Sequence, residues 1–272
     1  MIEQVGKSIN QTFPICIDLD LSVDFGPIHF GVWRSQITGM ALLNQLLEQI
    51  QDCKYLQLDG LMGYEAQIAG IGDAIGGRWA LNKIIRLLKS RSIPKIAQKR
   101  AEAITLIREK GFDLKLVNGG GTGSLESTTE ENGITEVTVG SGFYNSHLFD
   151  YYSEFQLQPA AAFALEATRH PKAGIITCHG GGYIASGETG HLKAPLPYLP
   201  KGLTLDKNEG AGEVQTPLHY QGQEMVKIGD PVFFRHSKAG ELCERFKDLY
   251  FVKNGKITDV VPTYRGENQC FI

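Results

Sequence analysis

Two glycine-rich segments carry the residues best suited to bind an anion. Residues 118–124 have the sequence Asn-Gly-Gly-Gly-Thr-Gly-Ser, and residues 140–144 have the sequence Gly-Ser-Gly-Phe-Tyr. Glycines let backbone N–H groups approach an anion closely, and the hydroxyl groups of Thr122 and Ser124 add further donors. Each segment alone is more simply a tight turn. Because both follow predicted strands, where α/β proteins bind ligands, the pair favours a phosphate-binding cup.

Neither segment matches a nucleotide-binding motif. The Gly-Lys-Ser/Thr ending of a Walker loop is absent from both. Residues 119–124 also lack the final spaced glycine of a dinucleotide fingerprint, and no acidic partner for a ribose follows them. The sequence therefore points to a phosphate-bearing ligand outside these two classes.

Two carboxylates mark the end of another predicted strand. Asp18 and Asp20 are two residues apart, so they point to the same side of a strand and both can reach a site. Capping of the following turn explains them equally well. The basic residues of segment 79–110 are most simply a solvated helix face, with anion binding as the less favoured alternative.

Composition and charge exclude several functional classes. The chain has 272 residues, 32 of them glycine. Its net charge of −3 does not favour nucleic-acid binding. No stretch approaches the ~18 apolar residues that span a bilayer, and the first residues show neither the basic nor the apolar region of a secretory signal. Five cysteines without a C-x-x-C pair indicate reduced thiols. We therefore expect a cytoplasmic protein without nucleic-acid or membrane partners.

The first part of the chain alternates predicted strands with helices. The strands are expected at 14–23, 55–62, 114–118 and 134–139, and the helices at 36–51 and 79–110, with an interruption near Pro94. Such alternation predicts a parallel sheet with crossover helices, either an open sheet or part of a barrel.

After residue 171 the pattern changes to short strands separated by turns. Strands are expected at 174–178, 224–228, 232–234, 249–252 and 257–261, and residues 195–200 are expected to form a Pro-rich loop. The dipeptide Asn254-Gly255 predicts a hairpin. We expect two domains, 1–170 with the parallel sheet and 171–272 with mostly antiparallel strands.

Taken in order, the motifs resemble those of the fold-type III pyridoxal-phosphate (PLP) enzymes, the alanine-racemase-like barrels. The similarity is greatest to the branch of D-threonine aldolase, D-serine dehydratase and amino acid deaminase. The segments that carry it are His29-x-Gly-Val, Gly-Leu-Met-Gly-Tyr-Glu at 60–65, the two glycine-rich segments, and residues 234–246. The resemblance implies an α/β fold, namely the C-terminal half of a PLP-binding (β/α)8 TIM barrel followed by a mostly antiparallel β domain.

The same resemblance assigns cofactor-binding roles. It implies that His29 lies near the phenolate oxygen of the cofactor and that Tyr64 flanks its ring. It implies a phosphate cup formed by Gly121, Thr122, Gly123, Gly142, Phe143 and Tyr144. Two simpler explanations remain open: His29 as an ordinary histidine at a strand end, and Tyr64 as a core residue.

One expected residue is missing from the sequence. The family's Schiff-base lysine lies in a first-strand segment that resembles Pro-His-x-Lys-Thr, and no such segment occurs here. The first strand resembles the family's fifth, so we expect a truncated barrel that is inactive as given and is completed by an upstream segment. Lys238 lies in the later domain and is the first present lysine to test.

A divalent metal is a further implication of the resemblance. Some relatives bind a metal beside the cofactor through a His-x-Cys or His-x-Asp pair. The similar place here contains Glu241 and Cys243, and His179 ends another strand. These three residues are the candidate ligands for zinc or manganese. For the loop at His179, a substrate contact and a plain turn remain equally open.

The resemblance implies a PLP-dependent lyase or deaminase that acts on D-amino or β-hydroxy amino acids. A small amino acid is then the substrate, and the complete enzyme is expected to be a homodimer. Two alternatives remain: a non-catalytic PLP-binding or structural remnant, and a phosphate-binding barrel of unrelated chemistry.

Overall fold

The computed structural model describes residues 1–187 and 190–270, and the side chain of Glu241 lies outside that description. The chain divides into two compact units. The first unit contains Met1–Gly140 together with Tyr152–Glu154, and the second contains Ser141–Tyr151 together with Phe155–Ile272. No helix in the described part of the chain is long and apolar enough to cross a membrane.

A parallel sheet forms the centre of the first unit. Its four strands lie in the order β1-β4-β5-β6, and all neighbours are parallel. They are β1 (Phe13–Asp18), β4 (Leu56–Gly63), β5 (Leu116–Gly119) and β6 (Glu136–Val137). A small antiparallel hairpin of β2 (Val23–Phe25) and β3 (Ile28–Phe30) follows β1. The four parallel strands expected from the sequence are confirmed.

Five helices accompany this sheet in the first unit. They are α1 (Ile2–Ile9), α2 (Met40–Gln51), α3 (Ala66–Ala69), α4 (Trp79–Glu109) and α5 (Leu125–Thr129). In α2, Leu43, Leu47 and Ile50 are buried at helical spacing and pack on the sheet. The expected interruption of the long helix near Pro94 is wrong, because α4 continues through it. A proline removes one helical N–H donor, and the packing of the following turns, including Ile104 and Ile107, holds the helix together.

The second unit contains an antiparallel sheet of six strands. Their order is β10-β11-β8-β7-β12-β9. They are β7 (Phe163–Arg169), β8 (Ile175–His179), β9 (Leu196–Leu199), β10 (Leu203–Leu205), β11 (Gln215–Tyr220) and β12 (Pro231–Arg235). The short helix α6 (Ala239–Cys243) follows, and then a hairpin of β13 (Asp248–Lys253) and β14 (Lys256–Pro262). Asn254 and Gly255 at its tip have φ of 51° and 72°, so the predicted hairpin is confirmed.

Three details of the second unit differ from expectation. Strand β7 pairs with β8 and β12, so the sheet begins before residue 171. Residues 224–228 form no strand; there the Lys227 N–H donates to the Asp230 carboxylate at 2.7 Å in a tight turn instead. The Pro-rich segment contains β9, which lies at the edge of the sheet, where a missing N–H donor is tolerated.

A buried polar cluster lies inside the second unit. Arg235 makes a bidentate pair with Asp150, at 2.5 and 2.8 Å, and donates to the backbone oxygen of Asn145 at 3.0 Å. His236 is 3% exposed, lies edge-on to Tyr144, and has no hydrogen-bond partner for either ring nitrogen among the described residues. Burial first, and then His147 and Arg235, lower the pKa of His236 from 6.5 to about 4. His236 is therefore neutral at neutral pH.

This depressed pKa predicts that acid destabilises the second unit. The folded chain resists protonation of His236 more than the unfolded chain does, so its contribution is complete above about pH 6.5 and is lost as the pH falls towards 4. The loss amounts to about 3 kcal/mol. Urea denaturation between pH 7 and 4 should show a smaller loss of stability for His236→Gln than for the unsubstituted chain. The exposed His170→Gln is the control, and equal pH dependence in all three proteins would contradict the prediction.

Candidate functional site

The carboxyl ends of β1, β4 and β5 bring the chemically distinctive residues of the first unit together. Asp18 ends β1, Tyr64 and Glu65 follow β4, and Gly119 ends β5. Parallel strands present their carboxyl ends at one edge of the sheet, and this is where α/β proteins bind ligands. The segment from Gly119 to Ser124, called here the glycine turn, lies at this edge.

Glu65 is the centre of a buried hydrogen-bond network at the strand ends. It is 2% exposed, and its Oε2 accepts the Gly120 N–H at 3.2 Å and an Arg100 N–H at 2.7 Å. Its Oε1 accepts the hydroxyls of Ser124, at 2.7 Å, and Thr128. A buried carboxylate is stable only when such donors replace its lost hydration. Glu65 thereby joins β4, the glycine turn and α5.

Arg100 supplies the positive charge that this network needs. It projects from α4, is 1% exposed, and bonds both Glu65 and Glu131. Its Nη2 also donates to the backbone oxygen of Gly63 at 3.0 Å. One guanidinium therefore ties the long helix to the end of β4. The pKa of Glu131 is raised by burial, against the opposing effect of Arg100.

The glycine turn is shaped by contacts within the protein. Gly120 has φ of +82°, which favours glycine, and a Cβ on Gly121 would lie 3.0 Å from Tyr64 Cε2 and 2.9 Å from Ala69 Cβ. The Gly121 N–H donates to Ser124 Oγ at 3.1 Å, and the Thr122 hydroxyl donates to the backbone oxygen of Val139. The N–H groups of Gly120 and Gly121 and the hydroxyls of Thr122 and Ser124 thus all have acceptors in the chain. Binding of a phosphate by Gly121, Thr122 and Gly123 stays a prediction.

A small cleft lies beside Tyr64, with about 60 Å³ of space for water-sized molecules. Its lining residues are Asp18, Leu19, Asp20, Val32, Arg34, Ser35, Met62 and Tyr64. The Arg34 guanidinium lies 5.5 Å from the centre of the Tyr64 ring, within the range of a cation–π interaction. The lining of this small cleft therefore includes one basic and two acidic residues.

Burial changes the acidity of two groups in the cleft. The pKa of Asp18 is raised, first by its burial and then by Asp20, while Arg34 acts in the opposite direction. Burial likewise raises the pKa of the Tyr64 phenol. The Ser35 hydroxyl donates to the backbone oxygen of Asp18 at 2.5 Å, which joins the two cleft walls.

The sequence-predicted residues of the first unit have different locations. Tyr64 lines the cleft, whereas His29 does not. His29 lies on β3, bonds Asp24 at 2.8 Å and stacks on the exposed Trp33 ring at 3.8 Å. Arg34, five residues after His29, is the cationic side chain of the cleft. Glu65 ends the predicted segment 60–65, and Arg34 lies two residues after His29-x-Gly-Val, but nothing in the sequence distinguished these two residues from their neighbours.

The remaining predicted residues belong to the second unit. Gly142 and Phe143 lie in a 3-10 turn, and the Phe143 side chain is exposed, while Tyr144 contacts His236. His179 ends β8 and Cys243 ends α6. The side chain of Glu241 lies outside the described residues, so the metal set stays a prediction. Among the side chains that are described, no group of three His, Cys, Asp or Glu could hold a metal ion.

Comparison with solved structures reveals the same architecture in three kinds of enzyme. D-threonine aldolase from Filomicrobium marinum aligns with 97% of this chain at 14% identity and a TM-score of 0.74. D-threo-3-hydroxyaspartate dehydratase from Delftia sp. HT23 aligns with 94% at 15% identity and a TM-score of 0.64. Alanine racemase from Clostridium difficile 630, in complex with cycloserine, aligns with 96% at 14% identity and a TM-score of 0.56.

The chain has the alanine-racemase-like fold. The three matched proteins are fold-type III PLP enzymes, so the α/β fold with a β domain that the sequence motifs imply is confirmed, whereas the half-barrel stays a prediction. The alignments cover 66%, 67% and 68% of the aldolase, the dehydratase and the racemase, so the chain spans about two thirds of their length. No family model and no curated protein sequence matches the chain.

The network around Glu65 predicts a specific loss of stability on substitution. Glu65→Gln removes the negative charge of the carboxylate that accepts hydrogen bonds from Arg100, Ser124 and Thr128. Arg100 keeps its ion pair with Glu131 in this variant. We expect a loss of about 1.5–3 kcal/mol, the range for hydrogen bonds to a charged group. Urea denaturation measures it, with the exposed Glu130→Gln as the matched control. Equal stability of the two variants would show that the network does not support the fold.

Proposed function

We propose that the chain is part of a PLP-dependent lyase that acts on D-amino or β-hydroxy amino acids, by aldol cleavage or by dehydration and deamination. The observation that carries this proposal is the shared fold of a D-threonine aldolase and a D-threo-3-hydroxyaspartate dehydratase, over nearly the whole chain. The glycine turn and the Tyr64 cleft at the strand ends support it, because they lie where α/β proteins bind ligands. A homodimer is the assembly expected of the complete enzyme.

The residues around the cleft fit part of a PLP site. Tyr64 offers an aromatic face, and the glycine turn beside it packs against the same ring. When bound, PLP supplies an electron sink for negative charge that develops at the substrate Cα. The chain's own contribution at this place is to bind and orient, through the rigid turn held by Glu65 and the charges of Arg34 and Asp18.

A lysine for covalent attachment is not among the residues that line the cleft. Lys238 belongs to the second unit, and its Nζ lies 3.4 Å from Ser186 Oγ. We therefore derive no step that needs an amine. This observation favours a second candidate function, a chain that binds PLP without a covalent bond and does not turn over substrate.

The two candidates differ in how the cofactor is held. Equilibrium dialysis of PLP against the purified chain measures binding, and borohydride reduction followed by peptide mass spectrometry detects covalent attachment. We expect binding without stoichiometric labelling of any one lysine. Tyr64→Ala should weaken binding by about tenfold or less, the equivalent of ~0.5–1.5 kcal/mol for one aromatic contact. The exposed Tyr250→Ala in the β13–β14 hairpin is the control.

Two other outcomes would change the conclusion. Stoichiometric labelling of one lysine, with Lys238 the first to examine, would assign covalent chemistry to the chain as it stands. Failure of the unsubstituted chain to bind PLP would contradict both candidate functions and leave a barrel of unrelated chemistry.

A further inference from the structure

The first half of the long helix α4 exposes an apolar stripe. Ile84 and Leu87 are 53% and 49% exposed, and Trp79 at the start of the helix is 73% exposed. Ala80, Ile84 and Leu87 follow one another at steps of four and three residues, so they lie on one face of the helix. The opposite face is buried and includes Asn82, Lys89, Ile96 and Arg100. The stripe therefore faces away from the core.

Basic residues accompany this stripe, and no acidic residue interrupts them. Residues 78–101 contain eight lysines and arginines and no aspartate or glutamate. Two of the eight, Lys89 and Arg100, point inward and are each paired with a buried carboxylate. Lys83 and Arg91 lie beside the stripe, are exposed, and form no ion pair with a carboxylate in the part of the chain that the structure describes. These two charges are therefore available to an external anion.

Trp79 and Lys83 combine an apolar and a charged group at one end of the stripe. Lys83 Nζ lies 5.5 Å from the centre of the Trp79 ring, within the range of a cation–π interaction. Tryptophan is enriched at the boundary between membrane and water, because its ring is apolar and its N–H is polar. A lysine can cover apolar surface with its methylene groups and keep its ammonium group in water. The pair is therefore suited to the boundary between an apolar phase and water.

We propose that residues 79–91 of α4 bind the surface of an anionic phospholipid bilayer, with the apolar stripe at the acyl boundary and Lys83 and Arg91 at the lipid phosphates. Helices that lie in a membrane interface combine these features, namely basic residues on the polar side and Trp or Leu on the apolar side. A fluid anionic surface is complementary to charge of one sign, whereas a protein partner fixes its register through charges arranged in a specific pattern.

This surface role differs from the expectation drawn from the sequence. The expectation of no membrane partner rested on the absence of a spanning stretch, and a helix that lies on the surface does not need one. The basic residues of segment 79–110 were most simply a solvated helix face. The exposed apolar stripe between them favours the alternative, anion binding, and specifies a lipid surface as the anion.

The test measures co-sedimentation of the chain with two kinds of vesicle, phosphatidylcholine alone and an equal mixture of phosphatidylcholine and phosphatidylserine. The chain contains two tryptophans, so a Trp33→Phe background leaves Trp79 as the only tryptophan signal. One double variant, Ile84→Gln with Leu87→Gln, removes the apolar stripe. Another, Lys83→Gln with Arg91→Gln, removes the two charges. Glutamine is used because its helix propensity is high.

The matched controls change exposed residues of the β13–β14 hairpin in the same way. They are Val252→Gln with Ile257→Gln, and Lys253→Gln with Lys256→Gln. Circular dichroism establishes that each variant is folded. PLP is omitted throughout, so the result does not depend on the proposed function.

We expect the chain to bind the mixed vesicles, more strongly at low salt, and to bind phosphatidylcholine alone only weakly. Trp79 emission should shift to shorter wavelength on binding. Each α4 variant should weaken binding by roughly tenfold or more, and the controls should leave it unchanged. The inference is overturned if the mixed vesicles are not bound, if Trp79 emission does not shift, or if the controls lose as much as the α4 variants. Binding to soluble polyglutamate in preference to the vesicles would also overturn it and would assign the stripe to an acidic protein.

Discussion

The first unit depends on the cost of burying the Glu65 carboxylate. A carboxylate removed from water must receive hydrogen bonds and a countercharge, and here four residues from three segments of the sequence supply them. Arg100 comes from the long helix, Gly120 and Ser124 from the glycine turn, and Thr128 from the short helix that follows it. Because every donor must be in place, the network fixes the end of β4 relative to the turn. This constraint also determines the shape of the cleft beside Tyr64.

The same constraint explains why the glycine turn is rigid before any ligand arrives. Its donors at Gly120, Gly121 and Ser124 have partners inside the protein, and the Tyr64 ring closes the space in which a side chain at Gly121 would lie. Preorganisation of this kind lowers the entropy that a ligand must overcome on binding. The charged residues Arg34 and Asp18 line the neighbouring cleft rather than the interior of the turn. Different residues at the same edge of the sheet thus line the cleft and support the turn.

Much of the fold was predictable because it follows from local patterns. Runs of apolar residues gave the four parallel strands, the spacing of Leu43, Leu47 and Ile50 gave a helix, and Asn254-Gly255 gave a hairpin. Strand β9 escaped prediction because it contains Pro197 and is flanked by Pro195 and Pro200, a composition typical of a loop, whereas its position at the sheet edge is a tertiary property.

The site was less predictable, because its key contacts are distant in sequence. Tyr64 was identified from a motif and does line the cleft, whereas the expected basic residue His29 bonds Asp24 and the cation in the cleft is Arg34. The bond between Glu65 and the Gly120 N–H spans 55 residues, so the glycine run alone gave no sign that its donors were already used. Glycine content indicates where a backbone can turn closely, but not which group the turn will face.

Amide hydrogen exchange at Gly120, measured by NMR, tests most directly whether Glu65 holds the turn. We expect the Gly120 N–H to exchange slowly in the unsubstituted chain. In Glu65→Ala it should exchange roughly tenfold faster or more, the factor for a loss of about 1.4 kcal/mol. The Leu43 N–H, bonded to Gly39 in α2, is the internal reference for global opening. Fast exchange at Gly120 in the unsubstituted chain, or an increase in Glu65→Ala no larger than that at Leu43, would contradict this account.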